Sequence, residues 1–222
     1  MMCTKNRMMK SQSTHWILSV MLLFVALPAF SAQLELNLTD ANGKALKDAV
    51  VALVPGQKPN YTELPTVVMD QRQKMFVPGV LAIRVNTQVR FPNSDDIRHH
   101  VYSFSPAKKF ELRLYHGLTA EPVLFDKPGT VVLGCNIHDS MVAYIYVLET
   151  DLFAVADEQG KIHIKAPAGN YQLQIYHPQM NGIYPESAIT LQESQAVSRA
   201  ITVSNVTVVT TTKPDDEFSN LF

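Results

Sequence analysis

Three residues with metal-seeking side chains stand in one short segment: Cys135, His138 and Met141 occupy positions i, i+3 and i+6 of Leu133-Gly-Cys-Asn-Ile-His-Asp-Ser-Met141. Thiolate, imidazole and thioether form a soft donor set, which favours copper over harder divalent ions. A trigonal site of this kind needs a second imidazole. About forty residues upstream, His99 and His100 in Phe91-Pro-Asn-Ser-Asp-Asp-Ile-Arg-His-His-Val101 supply two candidates. Taken alone, Cys135 reads as a buried structural thiol and Met141 as a core residue; their order with the two imidazoles points to metal. A Cys-His nucleophile has no oxyanion-type or glycine-rich feature beside it here. Structural zinc wants four strong ligands, and a thioether is a poor fourth. His116, His163 and His177 lie outside the motif and read as surface or strand-end histidines, while Asp95-Asp96 reads as a solvated loop.

The elements that must carry these residues are strands. Almost nothing after residue 32 has helical periodicity, whereas alternating or β-branched runs recur between turn signals. The candidates are the alternation of Leu34, Leu36 and Leu38, then 49–54, 66–69, 74–77, 81–91, 99–104, 130–135, 142–148, 161–165, 170–176, 187–191 and 197–209. The Cys-His-Met segment then forms a tight loop between two strands and aims its side chains at one point. Adjacent strand residues face opposite sides, so only one of His99 and His100 reaches that loop easily. This density of strands implies an all-β chain of sandwich type.

The chain has 222 residues, 46% apolar, with nineteen Lys+Arg against twenty Asp+Glu, so no overall basic field favours nucleic acid. Lys5, Arg7 and Lys10 precede an apolar run from Trp16 to Leu27 and the small residues around Ser31-Ala32. That order is a secretory signal, too short to span a bilayer. Cleavage near residue 32 removes three of the basic residues and none of the acids, which leaves a net charge of −4. Cys135 is then the sole cysteine, so no internal disulfide can form and the thiol must be buried, shared between chains or metal-held. The expected product is exported, periplasmic or beyond, with no transmembrane segment.

The pairing of an upstream His with a Cys-x2-His-x2-Met loop, the Phe91-x-Asn93-x-Asp95 and His-x-Val elements, and the Pro128-Gly129 turn leading into the cysteine strand together resemble the cupredoxins, the blue copper proteins. The loop spacing is that of amicyanin-like members, and the segment also looks like exported methylamine-utilization or plastocyanin-like proteins. By that resemblance one type 1 copper ion is held by His99, Cys135 and His138 with Met141 as weak axial ligand. His99 is preferred because the family's upstream ligand is typically followed by Asn and Val, which puts His100 in the Asn place. Ser140 stands where family members often have Gly. Asn93, His100 and Asn136 are the candidates for contacts around the ligands.

Segments 33–56 and 150–205 resemble a carboxypeptidase-regulatory or transthyretin-like β-sandwich. Asp40-Ala-Asn-Gly43 and Asp157-Glu-Gln-Gly160 repeat one turn chemistry, and Pro167-Ala-Gly169-x-Tyr171-x-Leu173 completes its usual pattern. The expected layout is a signal at 1–32, a first part of that sandwich at 33–59, a cupredoxin-like domain at 60–148 inserted in it or packed on it, a second part at 149–209 and a solvated tail at 210–222. The resemblance implies a one-electron carrier, not an enzyme, that docks a redox partner protein. Alternatives are copper sensing, storage or delivery, and a structural envelope protein without redox function.

Overall fold

A computed structural model of the chain describes residues 31–118, 121–180 and 184–207. The signal segment and the tail lie outside the described residues, apart from Ser31 and Ala32. Among the described residues the structure is all-β, and no helix is long and apolar enough to cross a membrane.

Strand β1 (Ser31–Asp40) shows how the chain builds its sheets: Ala32, Leu34, Leu36 and Leu38 alternate with polar residues and are all buried. Period two puts every one of them on one face. β2 (Val50–Pro55) is instead apolar on both faces, because Val51 and Leu53 enter one core while Val50 and Ala52 enter another.

The chain then leaves these strands for β3 (Thr66–Val68), β4 (Asp70–Arg72), β5 (Met75–Val77), β6 (Val80–Arg84), β7 (Thr87–Arg90), β8 (His99–Ser105), β9 (Lys108–Tyr115), β10 (Val123–Phe125), β11 (Gly129–Cys135) and β12 (Val142–Leu148). It returns through β13 (Phe153–Val155), β14 (Lys161–Pro167), β15 (Gly169–Tyr176), β16 (Ser187–Leu191) and β17 (Ala196–Val203). The outer strands form two sheets, β14-β1-β17 and β13-β2-β15-β16, which enclose one core that includes Leu34, Leu53, Ile162 and Leu173. The central strands form the sheets β6-β12-β11-β8-β9 and β10-β7-β3 with the β4-β5 hairpin, around a second core that includes Met69, Phe91, Phe125, Leu133 and Ile145. A third, smaller cluster joins the two units through Val50, Ala52, Val80, Tyr146 and Leu148.

Several strand expectations differ in detail: the short β4, β10 and β13 were not foreseen, and the run 197–209 is a strand only to Val203. The run 81–91 divides at Val85-Asn86, where Asn86 takes φ +64°, so that β6 and β7 enter different sheets. β9 was not foreseen either, although Phe110, Leu112 and Leu114 alternate with Lys109, Glu111 and Arg113; it lies on a sheet edge. Charges on such an edge discourage pairing with other chains.

The two repeated turns have one mechanism. Asp40 Oδ1 accepts from the N–H groups of Asn42 and Lys44 at 2.9 and 2.8 Å, and Asp157 Oδ1 accepts from those of Gln159 and Lys161 at 2.9 and 2.8 Å. A short acceptor that satisfies its own turn explains aspartate at both positions.

Candidate metal centre

β11 and β12 run antiparallel with Gly134 opposite Val142, and the loop between them carries the Cys-His-Met motif. Cys135 closes β11 and is buried against Val101 of β8. The loop is kept short by two backbone bonds, Met141 N–H to the His138 carbonyl at 2.9 Å and Val142 N–H to the Ser140 carbonyl at 3.1 Å. Met141 is therefore turned inward, 1% exposed, in the same apolar cluster as Cys135.

β8 brings the second half of the site. His99, Val101 and Ser103 face inward and are buried, whereas His100 faces the other side of the sheet, 3.0 Å from the Glu111 carboxylate. The β8-β9 register slips between His99 and Val101. A bulge of this kind re-aims a side chain. It stands directly at His99.

The result is a compact donor group. Cys135 Sγ lies 3.8 Å from His99 Nδ1 and 3.9 Å from His138 Nδ1, and the three donor atoms all fall within 4.8 Å of one another. An ion bonded at about 2.3 Å to sulfur and about 2.05 Å to nitrogen needs S···N separations of roughly 3.8 Å at a trigonal angle and roughly 3.6 Å at a tetrahedral one. The two S···N spacings match the trigonal value, and a soft thiolate with two imidazoles suits copper. His99 is fully buried and His138 half-buried, so part of one imidazole reaches the surface, next in the chain to exposed Ile137.

Asp95 has a different place from the solvated loop residue that the sequence suggested. Its carboxylate side chain is 12% exposed and its Oδ2 lies 2.8 Å from His99 Nε2. Gln73 N–H donates to Oδ1 at 2.5 Å, and Lys74 N–H donates to Oδ2 at 2.9 Å. Burial opposes ionisation of this carboxyl, but the bonds from Lys74, His99 and Gln73 outweigh it and hold the pKa below the ordinary value. With Asp95 ionised, His99 donates from Nε2 and keeps the Nδ1 lone pair for the sulfur side.

Asn93 holds this loop: its Nδ2 donates to the carbonyls of Ile97 and Tyr115 at 2.8 and 2.9 Å, and its Oδ1 accepts from Asp95 N–H at 3.1 Å. Asn136 is exposed. Beneath the loop, fully buried Gln71 donates to the Pro92 carbonyl at 3.1 Å and to the Tyr115 hydroxyl, which in turn donates to the Phe91 carbonyl at 2.6 Å. Burial, against the bond from Gln71, and the nearby Asp70 and Cys135 push the Tyr115 hydroxyl up to about 12. Sequence reasoning missed Asp95, Gln71 and Tyr115 as members of the site. The signal for Asp95 was its position four residues before His99, which gains meaning only when the chain between them folds back.

The fold and the site define an all-β chain with a His-Cys-His donor group, two of its members buried and His138 half-buried, and a buried methionine in the same loop. No family model and no curated protein matches the chain. Solved structures that it resembles include copper proteins with a cupredoxin among them. They include a copper-containing nitrite reductase from Thermus scotoductus (27% identity, TM-score 0.36, 42% of this chain), a purple cupredoxin from Nitrosopumilus maritimus (19%, 0.32, 38% of this chain and 99% of that one) and a reduced amicyanin variant (17%, 0.34, 46% and 100%). The match spans only 26% of the reductase. TM-scores this low leave the weight on the geometry above.

Proposed function

We propose that the chain is an exported copper protein that carries single electrons between partner proteins. The observation that supports this reading is one thiolate sulfur 3.8 and 3.9 Å from two imidazole nitrogens drawn from distant strands. Copper, when bound there, supplies a one-electron Cu(I)/Cu(II) couple. His99, Cys135 and His138 would hold it, with Met141 as the weaker fourth donor.

The protein's own contribution is rigidity and insulation. Cys135 and His99 are fixed on paired strands of a packed sheet, and Met141 is fixed by its loop bond to His138. Groups held on rigid elements move little when the charge of the site changes. Burial of Cys135, His99 and Met141 keeps water from the sulfur, while half-buried His138, next to exposed Ile137, marks the face offered to a redox partner. Contacts for such exchange tend to be small and transient. We also propose that 60–148 is inserted in the transthyretin-like sandwich, which the pairing of β2 with both β13 and β15 supports.

Reconstitution of the chain with Cu(II) tests the reading. The expected result is an intense visible thiolate-to-copper band, lost in Cys135→Ser and His99→Ala and kept in His100→Ala. A colourless wild type, or loss of colour in His100→Ala with retention in His99→Ala, overturns it. Reversible redox cycling without loss of metal separates a carrier from a delivery protein.

A further inference from the structure

We infer that Asp95, braced by the tip of the β4-β5 hairpin, is a positioning residue that fixes the His99 tautomer and lowers the reduction potential of the centre. The inference rests on the copper reading and extends it to a group outside the donor set.

The hairpin tip is the first part of the argument. Gln73 and Lys74 both take positive φ, +53° and +56°, as a two-residue turn of this hand requires. Neither is the Asn, Asp or Gly that accepts such angles easily, and for other residues the conformation costs about 1–2 kcal/mol each. Their two N–H groups converge on the one carboxylate that also meets His99. Asn93 Oδ1 accepts from the Asp95 N–H and so fixes the backbone that carries this carboxylate. The Asp95 carboxylate is thus held by two backbone N–H groups, and its own backbone by the Asn93 side chain, before it reaches the ring.

The second part is charge. Among the described residues, no Lys or Arg side chain pairs with Asp95: neighbouring Arg72 is engaged with Asp70 at 2.8 Å, and the side-chain partner of Asp95 is the neutral His99 ring. A carboxylate that faces the far nitrogen of a ligand imidazole raises the basicity of that ligand and fixes its orientation. One uncompensated negative charge beside the ring favours the more positive state of the site, the oxidised one. Removing it should weaken binding of Cu(II) more than of Cu(I).

The test uses the full chain. Asp95→Asn keeps the size of the side chain and removes its charge. We expect Cu(II) affinity to fall about 10- to 100-fold, with Cu(I) affinity less affected; each tenfold of difference raises the one-electron potential by about 59 mV. Nitrogen NMR of wild-type apoprotein gives a reading that no substitution can disturb, with His99 expected to carry its proton on Nε2. A proton on Nδ1, or a coloured Asp95→Asn protein with the wild-type potential, overturns the role of Asp95 and leaves the copper reading standing. A wild type that binds no copper overturns both.

Discussion

The ring of Tyr102 lies across Gly134, so closely that a Cβ added to the glycine would stand 2.8 Å from the ring Cζ and hydroxyl oxygen. The two residues are register partners on β8 and β11, one position from Cys135. Tyr102 is itself flanked by His100 and Phe104 at ring centroid distances of 5.8 and 5.2 Å. Glycine before the cysteine is therefore a packing requirement. Gly134→Ala should destabilise the protein by about 1–3 kcal/mol, the usual cost of overpacking. Combined with Tyr102→Ala, the same substitution should cost almost nothing beyond the loss of the ring. Urea unfolding of the two singles and the double decides it, and equal costs in both backgrounds would remove the contact as the cause.

The donor set separates into strong and weak members. Met141 is buried, and leucine has nearly its volume, so Met141→Leu should cost under about 1.5 kcal/mol and still give a coloured copper protein with a shifted potential. Cys135→Ser should fold and give no thiolate band. Loss of copper uptake in both variants would mean that the thioether is as essential as the thiolate.

His177 gives a pH dependence of known sign. Its Nε2–H donates to the Lys47 carbonyl at 3.1 Å and its Nδ1 accepts from Gln179 N–H at 3.2 Å, so the neutral ring satisfies both partners. Burial lowers its pKa below 6.5, against the opposing effects of the Lys47 carbonyl and Asp48. A depressed folded pKa contributes stability that is fully present above about pH 6.5 and is lost as pH falls through the folded value. The denaturation midpoint of wild type should fall more between pH 8 and pH 5 than that of His177→Gln. Equal slopes would show that another group carries the effect.

Gly43 and Gly160 occupy equivalent turn positions with φ of +79° and +72°, but only one is crowded. A Cβ at Gly43 would meet nothing within 4 Å, whereas at Gly160 it would stand 2.3 Å from the Leu38 carbonyl oxygen. Gly43→Ala should cost about 1–2 kcal/mol for the left-handed backbone alone. Gly160→Ala should cost clearly more, because the Leu38 carbonyl already accepts the Leu46 N–H at 3.0 Å and cannot retreat freely. Thermal unfolding of the two variants in parallel measures the difference.

What could be read from the sequence was local or periodic. Alternation along 32–38 and 162–166 places their side chains by the geometry of a single strand, and the Asp-x-x-Gly turns close within five residues. Cys135, His138 and Met141 could be grouped because seven residues in one tight loop cannot separate far. Period two also limited His99 and His100 to one inward ring. The fold then turned His99 to the sulfur and His100 to Glu111, a choice that depends on which face of β8 meets the core.

Other features depend on contacts between segments that the sequence does not relate. β1 pairs in parallel with β17, across more than 150 residues, and neither strand carries a mark of the other. Asp95 looks like any acidic loop residue until the Gln73-Lys74 tip is brought against it from another hairpin. A side chain's identity sets which bonds it can make, and so the sequence alone determined the donor chemistry. Which of those bonds form depends on what the packed sheets exclude from water, and that only the tertiary structure decided.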